Sequence, residues 1–187
     1  KGDGTVVAWG KQPNVPAHLT NAVRISAGMF HDLALKSDGT LISWGDPQCD
    51  WCTKVPAGLS NVIAVAAGSY HSLALKNDSS VVAWGYGAND YGQADVPPIL
   101  TDAVAIAAVD NHSLALKADG TVVTWGSQPN VPSDLSNVVA IAAGGSHSLA
   151  LTTDGTVTAW GADCCGETRV PSYLTNIFAI AAGGSHS

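Results

Sequence analysis

A histidine and a tryptophan recur through this chain at one fixed separation, and nothing else in the sequence constrains the fold as tightly. Trp-Gly stands at Trp9, Trp44, Trp84, Trp125 and Trp160, a spacing of roughly 35 to 41 residues, within the range of repeat architectures. Four of these tryptophans follow a histidine at an identical offset: Trp44 after His31, Trp84 after His71, Trp125 after His112 and Trp160 after His147. A fifth histidine, His186, keeps the register, since the five histidines follow Pro16, Pro56, Pro97, Pro132 and Pro171 of the Val-Pro pairs at one constant offset. Only the stretch between Trp-Gly and Val-Pro changes length, at positions 11–14, 46–54, 86–95, 127–130 and 162–169. Such self-similarity marks a repeat protein, in which each unit buries its apolar surface by stacking on its neighbours.

Within one unit the periodicity is that of strands. Val62–Ala67 is a short apolar run ended by Gly68, too short for a typical helix and rich in small residues. His71, Leu73 and Leu75 alternate with Ser72, Ala74 and Lys76, which defines a second strand. Asp-Gly turns at Asp38-Gly39, Asp119-Gly120 and Asp154-Gly155 lead into a third strand that ends on Trp-Gly. Asn77-Asp78-Ser79 departs from that turn, and a looser or differently turned hairpin is expected there. The Val-Pro pair permits at most a short outer strand, because proline cannot donate to a ladder. Three to four antiparallel strands per unit, repeated five times, predict an all-β fold, a β-propeller in one domain over residues 1–187, with an open β-solenoid as the rival. The first residue falls where the lysine of the repeat belongs and the last residues stop in mid-unit, so a fragment is the expectation.

The recurring Ala-Gly-x-x-His-Ser-Leu-Ala-Leu-Lys-x-Asp-Gly-Thr-Val-x-x-Trp-Gly, followed once by Ala88-Asn89-Asp90-Tyr91-Gly92-Gln93, resembles the regulator of chromosome condensation repeat family over essentially the whole chain. The compact units and Val-Pro-x-x-Leu-x-Asn spacers are most similar to bacterial members, including secreted propellers that inhibit beta-lactamases. The resemblance implies a ring of about seven blades. Five units therefore stand either as a closed five-blade ring with one split blade or as an arc of the larger ring.

The bulk numbers narrow the function classes. Charged residues make up 12% of the chain, the net charge is −7 and only eight lysines and arginines occur, which speaks against a phosphate-tracking surface and hence against nucleic acid. No apolar run is long enough to span a membrane as a helix. No nucleophile elbow, phosphate loop or metal-protease motif is present, so neither an enzyme nor a cofactor is expected. The five repeat histidines are read as structural, each bonding backbone at a blade junction. The five repeat tryptophans are read as core, filling the gap between neighbouring blades. His18 lies outside the pattern and is expected to be exposed.

Four cysteines sit in two variable loops, Cys49 and Cys52 in one and Cys164 and Cys165 in the other. Local disulfides, free thiols and a metal site all fit this spacing. Disulfides would favour an extracellular or periplasmic setting.

Strand direction assigns the recognition face. With the first strand running up to Ala-Gly and the third up to Trp-Gly, the turn before each histidine and the start of each variable loop share one side. The turn pairs differ from unit to unit: Met29-Phe30, Ser69-Tyr70, Asp110-Asn111, Gly145-Ser146 and Gly184-Ser185. A uniform scaffold with a varied rim is how loops on a rigid frame carry recognition. Phe30, Trp51, Tyr70, Tyr86 and Tyr91 are the aromatic anchors of that face, with Asp110, Asn111 and Arg169 among their polar surround. The expected function is non-catalytic binding of a protein partner. A secreted enzyme inhibitor and a carbohydrate-binding lectin are the alternatives.

Overall fold

The His-x-Leu-x-Leu strands are almost wholly buried, and in the two inner sheets a further sheet lies on either side of them. In the computed structural model, described over residues 1–9, 14–47, 49–85, 90–127 and 130–187, each such strand is the middle of a three-stranded antiparallel sheet. Four such sheets are formed: β1 (Ala22–Ala27), β2 (His31–Lys36) and β3 (Leu41–Gly45); β4 (Val62–Ala67), β5 (Ser72–Lys76) and β6 (Val81–Trp84); β7 (Ala103–Val109), β8 (His112–Lys117) and β9 (Val122–Gly126); β10 (Val138–Ala143), β11 (His147–Thr152) and β12 (Val157–Gly161). A single helical turn, Asp50–Thr53, lies in the loop after β3. The first strands touch one another from sheet to sheet, β1 on β4, β4 on β7 and β7 on β10, so the sheets are arranged as propeller blades with these strands innermost. Each first strand is bulged at its start, as between Ala22 and Arg24.

The seams between sheets carry the core. Trp84 packs on Leu33 and Leu35 of the preceding sheet, Trp125 on Leu73 and Leu75, and Trp160 on Leu114 and Leu116. Trp44 packs on Leu19, Val6 and Val15. These four tryptophans are buried as expected, whereas Trp9 is 86% exposed because no following strand or preceding unit covers it among the described residues.

The same seams carry a polar bond from each of four histidines to a side chain of the next unit. His31 Nε2 lies 2.8 Å from Ser72 Oγ, His71 Nε2 2.8 Å from Ser113 Oγ, His112 Nε2 3.3 Å from Ser148 Oγ and His147 Nε2 2.9 Å from Ser187 Oγ. Each imidazole thus reaches the serine that follows the next histidine. Ser113 donates its only proton to the Gln93 carbonyl and Ser187 donates its own to the Glu167 carbonyl, so His71 and His147 carry their proton on Nε2 and donate. In two of these units the glycine before the turn pair makes room for the ring: a Cβ at Gly68 or Gly144 would stand 2.3 or 2.2 Å from the Cε1 of His71 or His147, whereas Val109 takes this position before Asp110-Asn111. His186 is exposed, in contrast to the four buried histidines.

On the face opposite the variable loops, each Asp-Gly turn anchors the next sheet. Gly39, Ser79 and Gly120 offer their carbonyls to the amides of Val62, Ala103 and Val138 at 3.4, 3.2 and 3.0 Å. Ser79 corrects the expectation for its hairpin: with φ 65° it takes the left-handed conformation of Gly39 and Gly120, and Ser79 N donates to Lys76 O at 3.0 Å as Gly39 N donates to Lys36 O. The Asp78 carboxylate, bonded by Ser80 N, Ser80 Oγ and Lys76 Nζ, repeats the bonds that Asp38 and Asp119 make in the glycine-containing turns.

The seams and the turns set two measurable outcomes. Burial holds His31, His71 and His112 down at about 4, against 6.5 when unfolded. The unfolded chain therefore binds more protons, and stability is complete above pH 6.5 and falls as the pH drops through the window down to about 4. Each histidine forfeits on the order of a few kcal/mol by the lower end, comparable in sum to a typical total stability of about 5–15 kcal/mol. Denaturation midpoints measured from about pH 7.5 to 4 check this, and a flat profile would sink it. The turn carboxylates of Asp38 and Asp119, held at about 2 first by their threonine hydroxyls, titrate below that window. Replacing Ser79→Gly removes the left-handed strain and should stabilise the protein by about 0.5–1 kcal/mol in urea titration.

Candidate functional site

Hydrogen bonds tie the variable turns and the variable loops to one side of the sheets. Asp46 N donates to Phe30 O at 2.8 Å, Ser127 N to Asn111 O at 2.9 Å and Ala162 N to Ser146 O at 2.8 Å, so these three loops leave their third strands over the turns of their own sheets. The first residues of the turn pairs form a file across successive sheets. Ser69 Oγ donates to Asp110 Oδ1 at 2.9 Å and lies 3.7 Å from Met29 Sδ, while Ser69 N donates to Asp110 O at 3.1 Å. Farther along, Gly145 N meets the carbonyls of Gly183 and Gly184, each at 3.1 Å. Asp110 takes φ 40°, which lets a two-residue turn close directly between β7 and β8.

The second residues of two pairs form an aromatic platform. The rings of Phe30 and Tyr70 stack with centroids 4.8 Å apart and planes 26° from parallel, joining the first sheet to the second. Such a pair contributes about 0.5–1.5 kcal/mol beyond its buried area. Trp51 stands beside this region on the helical turn, 42% exposed, and its neighbour Cys52 directs Sγ at the Tyr70 carbonyl, 3.6 Å away. A Cys49–Cys52 disulfide closes that turn, with both cysteines buried. Met29, 68% exposed, adds a flexible apolar side chain at the edge of the platform.

The remaining candidates separate from this cluster. Tyr91 is 53% exposed in the loop after β6, its amide bonded by Gln93 Oε1. That loop turns inward: the Gln93 carbonyl accepts Trp125 Nε1 at 2.9 Å as well as Ser113 Oγ, so this residue serves the seam. Asn111 is partly buried, and Arg169 pairs with Asp163 at 2.8 Å in the loop after β12. Tyr86 and Asn89 lie outside the described residues. Of the three states open to the cysteines, Cys164 and Cys165 take the free thiol, exposed in their loop, while Cys49 and Cys52 form a disulfide across a helical turn. Among the described residues no three His, Cys, Asp or Glu side chains gather as a metal ion would require. Two contributors were legible only as variable turn positions: Met29 and Ser69, which link Phe30, Tyr70 and Asp110 into one surface.

Comparison with known proteins bears on the scaffold. The family described as the regulator of chromosome condensation (RCC1) repeat matches residues 62–93, 103–130 and 138–167. No curated protein matches the chain. Among solved structures, the ectodomain of the Physcomitrella patens receptor kinase CR4 is 21% identical with a TM-score of 0.76, over 98% of this chain and 52% of that one. Prp20p of Saccharomyces cerevisiae, described together with its binding to Gsp1p and histones, is 22% identical with a TM-score of 0.67, over 95% and 55%. Human WBSCR16 is 20% identical with a TM-score of 0.68, over 87% and 56%. At these identities the likeness is one of fold, and the chain spans about half the length of the propellers it matches.

The cysteine assignment has a direct readout. In the native protein two thiols, Cys164 and Cys165, should react rapidly with a thiol reagent, and four should react after reduction and unfolding. Four fast thiols in the native state would remove the loop closure beside Trp51.

Proposed function

The chain carries regulator of chromosome condensation repeats, and on that footing we propose that it is a non-catalytic interaction module that binds a protein through the face bearing the variable turns and loops. The observation that carries this reading is the Phe30–Tyr70 stack, which bridges two sheets beside Trp51 and Met29. Binding hot spots favour rigid aromatic anchors of this kind, and a stacked pair presents apolar area with little conformational entropy left to lose. Asp46 and Asp50 flank the anchors and the whole chain has a net charge of −7, so a neutral or basic partner surface is the complement. A partner lysine or arginine laid over the exposed ring faces adds a cation–π contact. Prp20p offers a precedent for protein binding on this scaffold, with Gsp1p and histones as its ligands. Extracellular or periplasmic placement accords with the Cys49–Cys52 bridge. Coverage of about half of each solved propeller favours an arc of a larger ring over a closed five-blade one.

Replacing Phe30→Ala, Trp51→Ala and Tyr70→Ala together tests the face. The variant should stay folded, losing no more than about 2 kcal/mol, while capture of protein partners from a lysate is abolished. Collapse of the fold would place these rings in the core and overturn the assignment. Binding on a glycan array, lost on the same three changes, would replace the protein ligand with a carbohydrate.

A further inference from the structure

On the face opposite the variable loops, the fourth sheet departs from the other three. In the first three the central strand ends on a lysine, Lys36, Lys76 or Lys117, whose ammonium reaches Oδ2 of the turn aspartate, Asp38, Asp78 or Asp119, at 3.0, 2.9 and 3.2 Å. These lysines sit in packed slots, since their side chains are only 25%, 26% and 21% exposed and most of each carbon stem is covered. In the fourth sheet the same position is Thr152, whose hydroxyl turns back to Asp154 Oδ1 at 2.6 Å and to the Thr156 carbonyl at 3.0 Å. Asp154 Oδ2, the oxygen that meets an ammonium in each sister turn, has no hydrogen-bond or ion-pair partner among the described residues.

Two further replacements fall in this same unit. Thr158 stands where Ile42, Val82 and Val123 pack into the seams. Asp134 stands in the spacer where the preceding units have His18, Gly58 and Ile99. With the shorter Thr152 they border a pocket of about 420 Å³, floored by Leu135 and walled by Asp134, Asn137 and Asp154. The pocket keeps the anion of the lysine slot, lacks its cation and gains a second carboxylate. Leu135 and Trp160 pack there on Leu114 and Leu116, so the pocket belongs to the seam between the third and fourth sheets, and neither terminus of the chain lines it.

We propose that this pocket binds a primary alkylammonium group on a chain of about four carbons, the chemistry of a lysine side chain, supplied by a ligand in place of the lysine that this unit lacks. Asp154 Oδ2 receives the ammonium as Asp38, Asp78 and Asp119 do in the sister turns, and Asp134 supplies a second anion at the rim. An ammonium carries three donors, which matches two carboxylates beside a threonine hydroxyl. The carbon stem lies on Leu135 and on the methyl groups of Thr152 and Thr158. An uncharged chain of the same length leaves both carboxylates without a counter-charge, so the site selects for the cation. Because the carboxylates are exposed, a single ammonium binds weakly, with a Kd of roughly millimolar order. The pocket lies on the face opposite the variable loops and does not depend on the binding face proposed above.

Nuclear magnetic resonance titration of the isotope-labelled full chain with Nα-acetyl-lysine methylamide tests the site. Amide shifts should saturate and cluster at residues 134–137 and 152–158. The norleucine analogue, which has the carbon stem without the ammonium, should bind roughly tenfold more weakly or less. Asp134→Asn leaves the turn bonds of Asp154 intact and should weaken the lysine probe several-fold. Thr152→Lys fills the slot from within, as in the other three sheets, and should abolish the response, with circular dichroism confirming that both variants fold. Diaminobutane separates the two sources of such a group: tighter binding than the lysine derivative assigns a free diamine, and equal or weaker binding assigns a lysine of a protein partner. Shifts that do not saturate, equal binding of the norleucine analogue, or an unchanged response in Thr152→Lys would each overturn the proposal.

Discussion

The contact on which the rest depends is the bond from a buried imidazole in one sheet to a hydroxyl in the next. Apolar packing of tryptophan against leucine brings the sheets together, but a wedge of that kind tolerates sliding. The imidazole does not. A ring buried without a partner would cost about 1–3 kcal/mol, so the sheets are held at the one rotation where each Nε2 meets its serine. The turn carbonyls that anchor Val62, Ala103 and Val138 repeat this constraint on the opposite face. Between them the successive sheets acquire a fixed geometry, and the loops above inherit fixed positions.

That rigidity explains why an aromatic platform forms across two sheets. Phe30 and Tyr70 stand one whole repeat apart in sequence, and neither belongs to a regular element. Their rings stack because the sheets beneath them are locked, and the Phe30 turn is tied further by the Asp46 amide, which donates to the Phe30 carbonyl. The Cys49–Cys52 bridge plays the same part for Trp51, drawing the middle of a long connection into a closed helical turn. The scaffold thus presents side chains whose freedom has largely been lost before any ligand arrives.

Much of this was legible in the chain itself. The three strands, the tryptophan wedges and the side on which variation collects all follow from periodicity and strand direction. What escaped were relations between units. The serine that follows four of the five histidines, at His71, His112, His147 and His186, is the partner of the preceding unit's imidazole, and periodicity within a unit does not reveal that offset between neighbours. Ser79 lacks glycine's freedom yet takes the left-handed conformation, in a turn whose Asp78 carboxylate makes the same bonds as Asp38 and Asp119. Gln93 lies in a variable loop yet belongs to a seam, which only the position of Trp125 discloses.

The anchoring of each sheet through its Asp-Gly turn has an evolutionary corollary. Because the entry of β4, β7 and β10 is set from below, the stretch connecting Trp-Gly to Val-Pro can more than double in length without rotating the blade that follows. Segments can therefore be lengthened or exchanged between units, provided that a carbonyl such as that of Gln93 still reaches its seam. Loop length in such an array is thereby uncoupled from the rotation of the blades.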